Sequence, residues 1–255
     1  MLIAGQTKRI NRGRGHSYVL DGVKVPGVTT LINNGFPKRA LVDWAARTVA
    51  GYAVDHWDEL AELPVSERLR RLEKAHNRVR DAAGVRGTRV HKLAHRLALG
   101  EQVEVPEEIA GHVMSCVRFL DEWEVEPILI ERPVFSRAHL YGGSPDLVAR
   151  LRDGRVWLLD WKTNAKGPYG DMAFQLAGYR YADIYLDDDG QEQEMPAIDE
   201  CGVVWLRADG YDLFPFEAGP DVFRQFLYIA EVARAAEDCR DYQGDPLLLG
   251  EEVGA

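Results

Sequence analysis

Asp146, Asp160 and Lys162 are the residues of this chain whose types and spacing point most directly to chemistry. They lie in GGSPDLVARLRDGRVWLLDWKTN, residues 142–164, where two apolar runs flank Asp153-Gly154. An Asp-Gly pair between such runs is a strong signal for a tight hairpin turn. Strand side chains alternate between faces, so Val156, Leu158, Asp160 and Lys162 share one face of the second strand. Pairing the two strands about the turn lets Asp146 and Asp160 approach each other. Adjacent carboxylates repel unless a cation lies between them, and hard divalent cations such as Mg²⁺ prefer oxygen ligands of this kind. An ammonium on the same side can orient an attacking water and stabilise charge on a phosphate. Metal, carboxylates and lysine together form a constellation for phosphodiester hydrolysis. Standing alone, Pro-Asp followed by acidic-x-Lys also arises by chance.

Two further segments bear on the reading. GVRGTRVHKLAHRL, from Gly84 to Leu97, places His91 and His95 one helical turn apart among Arg86, Arg89, Lys92 and Arg96. DMAFQLAGYRYADIYL, from Asp171 to Leu186, places Gln175 and Tyr179 four apart on one helix face, directly after the Asp-x-Lys strand. Each has a bland alternative: a packed or surface histidine, and an amphipathic helix with a polar edge.

The elements that must position these residues follow from periodicity and turn chemistry. Ser17 to Ile32 reads as a hairpin about Asp21-Gly22, broken by Gly35 to Pro37. Helices are expected over 38–63, 66–82, 86–99 and 106–123. Strands are expected over 127–136, 140–150 and 155–163. A helix over 171–185 precedes an acidic loop at 187–193, a second hairpin over 201–207 and 211–216, and a closing helix over 221–239. The tail after Asp241 is expected to fray. This order describes a mixed α/β core with a helical N-terminal elaboration, in a single domain over 1–255: a basic helical region to 125, a core over 126–240 and a short tail.

Together, GTRVH at 87–91, SPD at 144–146, DWK at 160–162 and QLAGY at 175–179 resemble the PD-(D/E)XK nuclease superfamily, specifically its RecB-like exonuclease branch. YVLDGVKVPGVTT looks like the start of phage-type members. The resemblance spans roughly residues 18 to 205. It implies a restriction-endonuclease-like mixed sheet flanked by helices. It also implies His91, Asp146 and Asp160 as metal ligands with the backbone carbonyl of Trp161, Lys162 as catalytic, and Gln175 and Tyr179 as DNA contacts. The implied cofactor is one or two Mg²⁺ or Mn²⁺ ions. The implied activity is a DNA exonuclease acting on free ends in recombination or repair. The alternatives are a structure-specific or restriction-type endonuclease, a catalytically silent DNA-end-binding module, and a globular protein with chance motifs.

Composition sets the remaining expectations. Three scattered cysteines, Cys116, Cys201 and Cys239, cannot supply the four thiolates of an iron–sulfur cluster, and they suit a reducing cytoplasm. No Walker motif is present, so no ATP-driven motor is expected. No apolar run approaches the roughly 20 residues of a membrane helix, and the N-terminus lacks signal-peptide order. The net charge of −10 is uneven: residues 1–100 hold 18 Lys+Arg against 9 Asp+Glu, and the remainder 13 against 32. A basic first portion suggests a polyanion partner, with Arg78, Arg80 and Arg89 as candidate guides for DNA, although solvated helix faces would read the same way. The acidic portion would face away from DNA or meet a protein partner.

Overall fold

The computed structural model describes residues 6–12 and 15–246. Residues 1–5 and the end of the expected tail, 247–255, lie outside them. The chain opens with an antiparallel three-stranded sheet, β1 (Lys8–Arg12), β2 (Gly15–Leu20) and β3 (Val23–Val25). Asp21 and Gly22 both have positive φ, 50° and 83°, as a tight hairpin turn requires. The second strand is shorter than expected. Pro26-Gly27 ends it, and α1 (Val28–Gly35) follows, because Val28, Leu31 and Ile32 are spaced to bury one helical face.

The next helices are α2 (Arg39–Asp55), α3 (Trp57–Ala61) and α4 (Val65–Ala98). The expected helix over 38–63 breaks at His56. The two helices expected over 66–82 and 86–99 are instead one continuous helix of 34 residues, about 51 Å long at 1.5 Å per residue. Gly84 and Gly87 do not break it, because a glycine inside a helix costs only about 1 kcal/mol. Its anchors are few: Ala75, Val90 and Ala94 are its buried residues. A 3₁₀ turn at Glu107–Ile109 leads into α5 (Ala110–Glu122).

The expected strand over 127–136 is two strands in two different sheets, β4 (Glu126–Ile130) and β5 (Val134–Ser136). Glu131 between them has φ 49°, and Pro133 follows. The strand expected over 140–150 divides in the same way into β6 (Tyr141–Gly143) and β7 (Leu147–Arg150). The chain therefore changes sheets at Ser144-Pro145-Asp146. β8 (Val156–Lys162) forms where expected. α6 (Met172–Arg180) is shorter than expected, and β9 (Ile184–Leu186) and β10 (Glu192–Glu194) make a small hairpin across the acidic loop. β11 (Glu200–Leu206), β12 (Tyr211–Pro215) and α7 (Pro220–Asp238) complete the fold.

β8 is the middle strand of the mixed sheet β12-β11-β8-β7-β4, parallel to β11 and antiparallel to β7. Its side chains alternate between two cores. Val156 and Leu158 pack with α1, α6 and α7 through Leu31, Leu176 and Phe226. Trp157, Leu159 and Trp161 pack with α4 and α5 through Val90, Val113 and Phe119. Helices thus cover both faces of the sheet. The four-stranded sheet β10-β9-β5-β6 joins the N-terminal strands through a parallel bridge between Gly27 and Gly142. Arg137 ties them further, donating to Asp21 at 3.0 Å and to Glu192 at 2.8 Å. No helix among the described residues is long and apolar enough to cross a membrane.

The α1–α7 contact demands a bare backbone at Gly35, where a Cβ would stand 2.0 Å from the carbonyl oxygen of Ile229. Neither backbone can yield cheaply, so Gly35→Ala is expected to destabilise the protein by about 1–3 kcal/mol, the usual cost of overpacking. A urea melt with unchanged slope and a lowered midpoint measures it.

Candidate active site

The site forms at the carboxyl end of β8. β7 begins only at Leu147, opposite Leu159, so Asp160 to Lys162 run on past the last β7 pair. Extending that register by one residue sets Asp146 across from Asp160. The backbone N–H of Trp161, left without a strand partner on that side, donates to Asp146 Oδ2 at 2.8 Å. The sheet change at 144–146 thus turns a carboxylate inward to close a strand edge. On the other side of Asp146, its carbonyl accepts from the Glu131 N–H at 3.1 Å.

Asp160 is only 3% exposed. Its two oxygens are both engaged: Gln175 Nε2 donates to Oδ1 at 2.6 Å, and the Lys162 ammonium pairs with Oδ2. Gln175 reaches it because α6 packs on the Val156–Leu158 face, the face that Asp160 and Lys162 continue. From the opposite layer, α4 presents His91, whose Nδ1 lies 3.4 Å from Asp146 Oδ2. Buried Val90 and Ala94 fix the helix at this height. Gly87, one turn before His91, lets α4 come close to β8, since a Cβ there would meet Thr163 Oγ1 at 3.3 Å.

Electrostatics couple these groups. Burial pushes the Asp160 carboxyl upward, and the Asp146 charge adds to this against the pull of Lys162. Burial acts likewise on Asp146, but His91, Lys162 and the Trp161 N–H outweigh it and hold the carboxyl below its usual range. Lys162 and His91 resist burial in turn. The carboxylates of Asp160 and Asp146 raise Lys162, and chiefly Asp146 raises His91.

Around this centre opens a cleft of about 690 Å³, lined by His91, Asp146 and Lys162 together with Arg9, Arg86 and Lys92. Sequence reasoning missed Arg9. It comes from β1, and its Nη1 donates to Ser144 Oγ at 3.0 Å across 135 positions of chain. Tyr18 donates to the same hydroxyl at 3.2 Å. Local periodicity carries no signal for such a contact. Glu131 also lines the cleft, and its Oε2 lies 3.5 Å from His95 Nδ1. A second histidine–carboxylate pair therefore stands one helical turn beyond the first.

The remaining expected residues divide. The Trp161 ring packs edge-on against Phe119 at 5.5 Å inside the α5 core, so only its backbone belongs to the site. Gln175 reaches the centre. Tyr179 does not offer an open stacking face: its ring is 5% exposed, packed where a Gly143 Cβ would meet it at 2.4 Å. Burial drives its hydroxyl far above the usual phenol range, and that hydroxyl meets the Ser144 backbone. Arg78, Arg80 and Arg89 are exposed, but none of them lines the cleft. Arg78 lies 3.5 Å from the Tyr52 hydroxyl, Arg80 pairs with Asp81 at 2.9 Å and Arg89 with Glu108 at 2.5 Å. Arg78 is about 20 Å along the helix axis from His91 at 1.5 Å per residue.

The donors fit a hard divalent cation in kind, with two carboxylates and an imidazole at adjoining positions. Among the described residues, though, no three His, Cys, Asp or Glu side chains converge as a ready-made ligand set. The oxygens of Asp160 hold an ammonium and an amide.

Burial separates the two α6 residues by function. Tyr179→Ala is expected to cost about 3–5 kcal/mol of stability, as for other large buried aromatics. Gln175→Ala removes one hydrogen bond at a part-buried site and is expected to cost about 1–2 kcal/mol. Chemical denaturation of the two variants side by side checks the difference.

No protein-family model matches this chain, and no curated protein matches it. Among solved structures, one described as "Crystal structure of SSO0001" aligns over 62% of this chain and 86% of its own, at 16% identity and a TM-score of 0.29.

Proposed function

We propose that this protein is a divalent-metal-dependent deoxyribonuclease built on a restriction-endonuclease-like core, acting on DNA ends. The observation that carries the reading is the meeting, at the end of one central strand, of His91 with Asp146 and of Lys162 with Asp160. These residues come from a helix in one layer and a hairpin in the sheet, and they set two carboxylates, an imidazole and an ammonium side by side. His91, Asp146, Asp160 and the Trp161 carbonyl are the groups that would hold Mg²⁺ or Mn²⁺; when bound, the ion supplies Lewis acidity at the phosphate and a more acidic water. Lys162 then contributes a positive charge beside the reacting phosphate, and Gln175 keeps Asp160 oriented. Arg9, Arg86 and Lys92 give the cleft the positive wall that a phosphate backbone requires.

A catalytically silent DNA-end-binding module is the second reading, favoured by the full engagement of both Asp160 oxygens by protein donors. One experiment separates the two, and separates both from an endonuclease. End-labelled linear DNA and a relaxed closed circle are incubated with the protein in Mg²⁺, in Mn²⁺ and in EDTA. The expected result is degradation of the linear DNA alone, dependent on metal. Asp160→Asn keeps the shape but removes the charge, and is expected to reduce the rate by about a hundredfold or more. Nicking of the circle selects the endonuclease. Binding without cleavage in any metal selects the silent module.

The cleft also predicts where DNA charge is read. Arg86→Glu and Lys92→Glu are each expected to remove roughly one unit from the log–log salt slope of DNA binding. Arg78→Glu and Arg80→Glu, outside the cleft, are expected to change it less. Equal slopes in all four variants would place the DNA along the whole length of α4 instead.

A further inference from the structure

A second, smaller cavity of about 280 Å³ adjoins the site on another side of Lys162. Lys162 and Asn164 line both this cavity and the large cleft, so the ammonium stands at the boundary between them. Ile32, Pro168 and Met172 give the cavity apolar walls, and Asn33, Lys38 and Gln175 give it polar ones. Lys38 is held in place by Asn33 Oδ1 at 2.7 Å and by Asp171 Oδ2 at 3.8 Å. Tyr169 also lines the cavity, and the residue is 56% exposed.

The loop that carries Tyr169 is short and tied down. Gly167 takes φ 81°, and its carbonyl accepts from Asn164 Nδ2 at 2.5 Å. Pro168 fixes the next φ. The Tyr169 carbonyl accepts from the Met172 N–H at 3.1 Å, joining the loop to the first turn of α6. A ring presented on a restrained loop loses little freedom on binding, which suits it to stacking.

We propose that this cavity is a nucleotide subsite that takes one base of a single DNA strand, stacked on Tyr169, next to the phosphate held at Lys162. The proposal rests on the nuclease reading. A phosphate at Lys162 carries a sugar on each side. One side of the strand can continue into the large cleft and the other into this cavity, since Lys162 lines both. The volume lies just below the usual range for drug-sized ligand sites, roughly 300–1,000 Å³, which suits one ring-bearing unit and not a duplex. Apolar walls and an aromatic face accept any base, because every base has a π-face. Lys38 supplies a cation for the following phosphate.

The test uses binding, so that it does not depend on cleavage. A labelled hexathymidylate and its fully abasic counterpart of equal length and charge are titrated in EDTA with the wild-type protein, Tyr169→Phe and Tyr169→Ala. Stacking on an aromatic side chain is a five- to roughly hundredfold effect on affinity. The wild type and Tyr169→Phe are expected to prefer the oligomer with bases by about that factor, and Tyr169→Ala to lose most of the preference. A Tyr169→Ala protein that keeps the wild-type preference overturns the proposal, as does a wild type that shows none. Cleavage of end-labelled DNA in Mg²⁺ is scored separately. A wild type that cuts DNA without base preference removes the subsite and leaves the nuclease. A wild type with Tyr169-dependent preference that cuts nothing supports the subsite and removes the nuclease.

Discussion

The carboxylate of Asp160, kept almost wholly out of water in the middle strand of the main sheet, is the constraint around which this molecule is arranged. An isolated charge in such a place is prohibitively costly, so it must be paired and hydrogen-bonded. Lys162, two residues later on the same strand face, and Gln175, brought by α6 onto the other oxygen, meet that demand; His91 adds to them, while the Asp146 charge works against them. Replacing the whole set with apolar residues would satisfy packing at least as well. Keeping it commits α4, α6 and the β7–β8 hairpin to one mutual placement.

The site occupies the places where regular structure stops. β4 gives way to β5 through Glu131 and Pro133, and β6 gives way to β7 through Ser144, Pro145 and Asp146. Both breaks fall beside the end of β8, and the two are bonded to each other through the Glu131 N–H and the Asp146 carbonyl. A chain leaving one sheet for another exposes backbone groups that the ladder no longer serves. Here the Asp146 side chain serves one of them, the Trp161 N–H, while remaining available to His91.

Much of this was legible because it is local. The Asp153-Gly154 turn, the alternation along Val156 to Lys162 and the periodicity of the closing helix each follow from a few neighbouring residues, and each stands where expected. The elements that differed are those decided by tertiary partners. Val28 to Ile32 reads as β-branched strand but forms a helix, because its apolar spacing also fits a helical face packed on α7. Gly84 falls in the expected break between two helices yet lies within α4, and at Gly87 the missing side chain permits close approach to Thr163. Of the candidate site, His91, Asp146, Asp160, Lys162 and Gln175 are brought together, whereas Tyr179 belongs to the core. Its helical spacing from Gln175 could not reveal that Gly143 leaves room for its ring. Arg9 was invisible for a plainer reason, since its partner lies more than half the chain away.

That separation has a consequence for how the protein is made. The hairpin β1–β2 is synthesised before its partners: Tyr18 and Arg9 find their hydroxyl only when Ser144 follows, 126 and 135 positions later. Tyr18, Leu20 and Val25 likewise wait for Phe135 and Leu186 to bury against. A hairpin alone is marginal in water, and closing so long a loop has an entropic cost that only late contacts offset. These strands are thus fixed only once Phe135, Ser144 and Leu186 have followed, and with them the wall of the cleft that carries Arg9.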